Sequence, residues 1–283
     1  MPPLGWSSSK HRKPCVSEYT EQRAYDEVPY ESNAFRQSQP ARIAAVAHLF
    51  GLSPPDVRTA RVLELGCASG GNLIPLAVHS PDAQFLGLDI SGIQISDGQR
   101  LAQELGLVNI ELRHAGIESL TLADGKFDYI ICHGVYSWVP DSVRDAILRV
   151  CDQNLADDGV AFVSYNTLPG WHFVQPMRDL MLQWTTGIAE PQEKVRVALE
   201  LLDDMKDIAE PVMRGVLQEE TASLKSSAIS YVLHDHLEQI NSPCYLKDFV
   251  AHAQSHALTY LSDIEFRVDN PLNMTPLLTG LVD

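Results

Sequence analysis

The run VLELGCASGGN, residues 62–72, gathers the side chains whose types and spacing could do chemistry. Gly66, Gly70 and Gly71 surround Cys67, Ala68 and Ser69, and Glu64 stands two residues before the first glycine. A glycine-rich turn between a strand and a helix lets bare backbone approach a ligand. In open α/β sheets such ligands lie at the carboxyl ends of the strands. A dinucleotide asks for Gly-x-Gly-x-x-Gly, with its pyrophosphate at the start of the helix. Here Ala68 replaces the middle glycine. The Glu64 carboxylate would repel a pyrophosphate and attract an ammonium. S-Adenosylmethionine carries an ammonium and a sulfonium and no phosphate, so this strand end favours it. Asp89 lies 23 residues after Gly66 and can accept hydrogen bonds from ribose hydroxyls. Alternatively it caps the helix that follows.

These residues need strands and helices to position them. Arg61–Leu65, Gln84–Asp89, Ile110–Arg113, Phe127–Cys132 and Val160–Tyr165 read as strands, the last entered through a turn at Asp157–Asp158–Gly159. Between them, helices are predicted over Leu73–His79, from Ser91 as cap to about Leu105, and over Asp141–Gln153. An amphipathic helix is predicted over Pro40–Phe50, ended by Gly51 and Pro54–Pro55. Strands alternating with helices imply a parallel sheet with right-handed crossovers. The expected fold is therefore α/β, a Rossmann-like doubly wound sheet over about 40–170. Past Trp171 the apolar spacing turns helical, as in LLDDM, MRGVL and FVAHAQ. The expected division is a disordered tail over 1–17, a cofactor-binding domain with an N-terminal lid over 18–172, and a mostly helical domain over 173–283.

Composition narrows the classes of function. The 283 residues include 45% apolar and 20% charged side chains, enough to bury a core. No apolar run reaches the roughly 18–20 residues that a membrane span needs, and MPPLGWSSSKHRK, with no apolar stretch after its basic cluster, is not expected to act as a secretory signal. Asp and Glu number 37 against 21 Lys plus Arg, a net charge of −16. Nonspecific nucleic-acid binding needs the opposite field, so neither nucleic acid nor membrane is an expected partner. Cys15, Cys67, Cys132, Cys151 and Cys244 are odd in number and form no CxxC pair. They read as reduced thiols of a cytoplasmic protein.

ELGCASGGN followed by GLDIS resembles the class I S-adenosylmethionine-dependent methyltransferases. FDYIICHGVYSWVP, LADDGVAFVSYNTLPGWH and YVLHDHLEQINSPCYLKDFVAHAQ resemble the bacterial members with a methyltransferase regulatory domain, among them rickettsial protein lysine methyltransferases. The resemblance covers about residues 25–265. It implies that Glu64, Gly66 and Gly70 form the cofactor loop, with the backbone of Cys67, Ala68 and on to Asn72 around the methionine end. It implies that Asp89 takes the ribose and that Ile90 packs on the adenine. An acidic residue is usual beside the adenine amine; Gly116 and Ile117 occupy that place and its neighbour, and Glu118 could substitute. His133 would line the sulfonium edge, or be a histidine bonded within its loop. Tyr136 and Trp138 would wall the acceptor channel, or belong to the core. Tyr165, Asn166, Trp171 and His172 follow the fifth strand toward the same mouth, and Tyr25 and Tyr30 would belong to the lid. His133 and Tyr136 are the candidates for a general base.

The expected function is methyl transfer from S-adenosylmethionine to a protein side chain such as lysine. Alternatives are a small-molecule methyltransferase, a non-catalytic cofactor-binding regulator and, disfavoured by Glu64 and Ala68, a nicotinamide oxidoreductase. His252 and His256 are four apart on a predicted helix, and His234 and His236 flank Asp235. No glutamate follows His252 as a zinc hydrolase would need, and the resemblance puts both segments in the regulatory domain; no metal is expected. Ser69 and Ser164 lack a nucleophile-elbow context. Relatives usually continue beyond YLSDIEF, so the helical domain is expected to be incomplete and to expose apolar surface that favours homodimers.

Overall fold

The computed structural model describes residues 27–265. The predicted tail, Cys15 and Tyr25 lie outside them. Five parallel strands form one sheet: β1 (Arg61–Leu65), β2 (Gln84–Asp89), β3 (Ile110–His114), β4 (Phe127–Cys132) and β5 (Leu155–Val163). Their order is β3-β2-β1-β4-β5, and the chain reverses direction across the sheet between β1 and β4. That reversal opens a crevice at the carboxyl end of β1, where the glycine loop begins.

Side chains alternate across the sheet. Val62, Phe85, Leu112, Tyr129 and Ile131 pack beneath helices α1 (Pro40–Leu49), α2 (Leu73–His79) and α3 (Gly92–Glu104). Leu63, Leu65, Leu88, Ile130 and Cys132 pack on the other face against Ile147, Leu148 and Cys151 of α4 (Asp141–Asn154). The predicted helix signals act as chemistry says they should. Ser91 Oγ accepts the Gln94 N–H at the start of α3, and Gly106 (φ 67°) follows its end.

One element differs by more than a residue at its ends. The fifth strand begins at Leu155, opposite Phe127, five residues before the predicted start, and ends at Val163 instead of Tyr165. Pairing then jumps to Tyr129 with Val160, so Asp157–Asp158–Gly159 is a bulge inside the strand rather than a turn before it.

Beyond β5, α5 (Gln175–Trp184), α6 (Pro191–Ile208) and α7 (Pro211–Ser226) pack Met181, Ala198, Leu202, Leu217 and Leu224 into a separate apolar cluster. A π turn over Val232–His236 adds Val232 and Leu233. The chain then returns to the sheet. Cys244 bonds both Asn166 and Leu168, and α8 (Leu246–Ser255) brings Phe249 and Ala253 onto the α4 face. Among the described residues Cys67, Cys132, Cys151 and Cys244 are all free thiols, and no helix is long and apolar enough to cross a membrane.

Candidate functional site

A cavity of about 930 Å³ lies over the carboxyl ends of β1, β2 and β4. Its size suits a nucleoside-bearing cofactor together with an acceptor group. The glycine loop forms its floor. Gly66 sits at φ 74°, and a Cβ there would stand 2.4 Å from Val135 Cγ2. Gly66 and Cys67 both donate to the Leu88 carbonyl, which closes the turn. Ala68 holds φ 50°, a left-handed conformation that costs an alanine roughly 1 kcal/mol. Gly70 (φ 77°) ends the turn and does not line the cavity. The Cys67 thiol is buried, and burial pushes its pKa well up, so it stays protonated.

Glu64 is 3% exposed and on the cavity wall. Its Oε1 accepts from Asn72 Nδ2 at 2.9 Å, while Oε2 is buried without a hydrogen-bond partner. Burial, offset in part by Asn72, raises its pKa from 4.5 to about 8. An unpaired buried acceptor costs about 1–3 kcal/mol. A cationic amine reaching Oε2 would recover that cost, so the S-adenosylmethionine ammonium fits this wall.

Asp89 ends β2 and tilts back toward the loop. Its Oδ2 accepts from Ala68 N at 2.8 Å, and Oδ1 accepts from Ser91 N at 2.9 Å. The side chain thus joins the glycine loop to the start of α3, and each oxygen keeps acceptor capacity for ribose hydroxyls. Burial raises its pKa against those backbone bonds. Ile90, Gly116 and Ile117 line the same end, with Ile90 36% exposed. The Glu118 carboxylate lies against Gly116, 3.1 Å from where a Cβ would stand, and also lines the cavity.

His133 follows β4. Its Nδ1 is 2.7 Å from Ser164 Oγ and its Nε2 is 3.3 Å from Gln37 Nε2, while Phe35 packs edge-on at 4.2 Å. Burial lowers its pKa, so the ring is neutral. Its partners are side chains of β5's exit and the N-terminal segment, not loop backbone. Trp138, Tyr165 and Asn166 line the mouth. Trp138 meets Trp171 edge-on, Tyr165 stacks on Phe249 at 4.3 Å, and Asn166 Nδ2 donates to Asn241 Oδ1. Tyr136 is not brought to the cavity. It is 2% exposed, sits in the α4-side core, and its hydroxyl lies 2.7 Å from His252 Nδ1. Burial pushes its pKa up to about 12. A phenol held behind the wall is poorly placed to take a proton from a bound acceptor.

The bonds that hold the roof of the cavity are the part least visible in the sequence. Residues 27–38 cross above the floor. Ser32 Oγ accepts from Gly71 N at 2.8 Å, and Phe35 N donates to Asn72 Oδ1. A Cβ on Gly71 would strike the Ser32 carbonyl oxygen at 2.3 Å, so this glycine admits the roof. The helical region grips the same segment from the far side: Tyr30 Oη donates to Asp235 Oδ2 at 3.3 Å, and His234 Nε2 lies 2.7 Å from the Val28 carbonyl. His234 and Asp235 also line the cavity. The second of two adjacent glycines was the available signal for Ser32. Nothing local to the sequence marked the bonds from His234 and Asp235.

Comparison with known proteins agrees with this architecture. The family described as "Methyltransferase domain" matches residues 62–159, and "Predicted methyltransferase regulatory domain" matches 228–277. The uncharacterized protein RP789 of Rickettsia prowazekii is 43% identical over 89% of this chain, and the match takes in 46% of that protein. RP028 of the same organism is 37% identical over 83% of this chain and 95% of its own length. The structure of PKMT2 from Rickettsia typhi in complex with AdoHcy is 36% identical and superposes with a TM-score of 0.79, covering 90% of this chain and 50% of that one. The chain thus spans about half the length of RP789 and of PKMT2.

Proposed function

The chain belongs to the class I S-adenosylmethionine-dependent methyltransferases that carry a regulatory domain, and on that premise we propose that it methylates a protein side-chain amine, lysine first. The observation that carries the cofactor half is Glu64 Oε2, a buried acceptor without a partner on the cavity wall. In this reading Glu64 holds the ammonium, the backbone of Gly66 and Ala68 lies along the methionine end, Asp89 takes the ribose, and Ile90 and Ile117 cover the adenine. When bound, S-adenosylmethionine supplies an electrophilic methyl group on a sulfonium.

The acceptor half is supported by the mouth. Trp138 and Tyr165 offer aromatic faces for an alkylammonium stem, and Asn166 offers a polar edge. The name of PKMT2, and the excess of negative charge on this chain, point toward a lysine-bearing target. A lysine must lose a proton before it attacks. Desolvation between these rings lowers its pKa. His133 is neutral, but both ring nitrogens are engaged by Ser164 and Gln37, so it reads as a fixed wall beside the methyl edge rather than a free base. His133 and the roof exclude water and align the amine, which is where an in-line displacement gains most.

The test is incubation of the chain with methyl-labelled cofactor and a cell extract, followed by identification of the labelled molecules. Label on lysine residues, lost with Asp89→Ala, is expected. Label confined to small molecules, or no label despite cofactor binding, overturns the lysine reading.

A further inference from the structure

Three side chains outside the cavity converge where α4 meets α8. Asp145 projects from α4, His252 lies one turn before the end of α8, and His256 follows that helix. One carboxylate oxygen, Asp145 Oδ1, faces both rings: it is 2.9 Å from His256 Nε2 and 3.5 Å from His252 Nε2. The donor atoms of all three residues lie within 4.8 Å of one another, and the described residues hold no second such group. We propose that Asp145, His252 and His256 form a binding site for a divalent transition ion of the zinc type, tying α8 to the methyltransferase domain.

The two spacings from Asp145 Oδ1 are those of ligands around one ion. With arms of about 2.0–2.1 Å, two donors stand about 2.9 Å apart at a right angle and about 3.4 Å apart at a tetrahedral angle. The observed 2.9 and 3.5 Å bracket that range. Two imidazoles and one carboxylate suit zinc, cobalt or nickel and suit calcium or magnesium poorly. The second shell is present. Tyr136 Oη lies 2.7 Å from His252 Nδ1, which fixes that ring and leaves Nε2 directed at the cluster. Asp145 is 61% exposed and the two histidines 31% and 16%, so an ion can enter and water can complete its coordination. The Arg144 guanidinium in the adjoining depression is paired with Asp141, which limits its repulsion of a cation.

This site was hidden in the sequence because the third ligand is 111 residues from His256. Its position also gives it reach. Tyr136 immediately precedes Ser137 and Trp138 on the cavity wall, so an ion that fixes His252 also steadies that turn.

The experiment is equilibrium dialysis of the full chain against Zn2+, with Asp145→Asn and His256→Gln beside it. Neither variant touches the cofactor cavity, and His252 is spared because its removal would strip the buried Tyr136 hydroxyl of its partner. Far-ultraviolet dichroism and cofactor titration confirm that each variant folds. The expected result is one Zn2+ per chain, a melting temperature that rises with Zn2+ concentration, and affinity at least tenfold weaker in both variants. Co2+ should give visible absorption in the wild type that both variants lose. No stoichiometric uptake, or a loss below tenfold in either variant, overturns the site and leaves only a carboxylate hydrogen-bonded to two histidines.

Discussion

The floor and the roof of the cofactor cavity are built on different principles. The floor is a strand-to-helix turn closed by backbone bonds from Gly66 and Cys67 to Leu88, braced by the side chain of Asp89 and by the Asn72–Glu64 bond. The roof is a segment without a strand partner, pinned by isolated side-chain bonds at Ser32, Tyr30 and Val28. Three of its anchors come from residues that also serve elsewhere: Asn72 bridges Glu64 and Phe35, while His234 and Asp235 belong to the helical region. A floor of this kind is rigid because steric exclusion fixes it. A roof of this kind can open at the cost of a few hydrogen bonds, each worth about 1 kcal/mol net.

Breaking the floor should cost most. Gly66→Arg must place a Cβ 2.4 Å from Val135 and adopt φ 74°; Asp89→Ala leaves the Ala68 and Ser91 amides without their carboxylate. Each should weaken S-adenosylmethionine binding tenfold or more, about 1.4 kcal/mol, by calorimetric titration. Unchanged affinity in both would remove the floor from the site.

Glu64 gives the floor a pH signature. Its folded pKa, about 8, lies above its ordinary 4.5. The free protein therefore loses stability as pH rises from about 4.5 toward 8, because the carboxyl ionises in the unfolded chain while the buried one stays protonated. A cationic ligand favours the ionised form, so affinity should rise with pH up to about 8 and binding at pH 7 should release up to about one proton. Calorimetry in buffers of different ionisation enthalpy measures that release. Glu64→Gln should abolish it and stabilise the free chain at pH 9; proton release that survives the substitution assigns it to another group.

Roof changes should be milder and should show in dynamics. Gly71→Ala pushes on the Ser32 backbone, and Tyr30→Phe removes the bond to Asp235. We expect cofactor affinity to fall about three- to tenfold, on the order of 1 kcal/mol, with faster hydrogen exchange over residues 27–38 and unchanged exchange in β1 and β2. Equal acceleration in floor and roof would show that the two are one cooperative unit. The smallest effect belongs to Ala68→Gly. It relieves a left-handed alanine but loosens the unfolded chain, so melting should shift by no more than about 1 kcal/mol, with cofactor affinity kept.

The same division governs what could be read in advance. The strand at Arg61–Leu65 and the helix at Leu73–His79 agree with their apolar spacing because β1 is buried on both faces and α2 follows directly from the turn. The fifth strand was misplaced because Asp157–Asp158–Gly159 has turn chemistry yet is carried as a bulge by pairing on either side of it. Tyr136 and Trp138 are two residues apart in one short turn, yet one is core and the other cavity wall. Residue type cannot separate them, since an aromatic ring serves either place.

Local chemistry therefore determined the parallel sheet, the glycine turn and the acidic strand tips, because each depends on neighbours within a few residues or on one repeating period. The tertiary structure alone decided which carboxylate oxygen is left without a partner, which bonds hold the cover over the cavity, and which acid joins His252 and His256. Those facts rest on contacts such as Tyr30 with Asp235, 205 residues apart. No periodicity encodes such a contact; it exists only once two separate cores have packed.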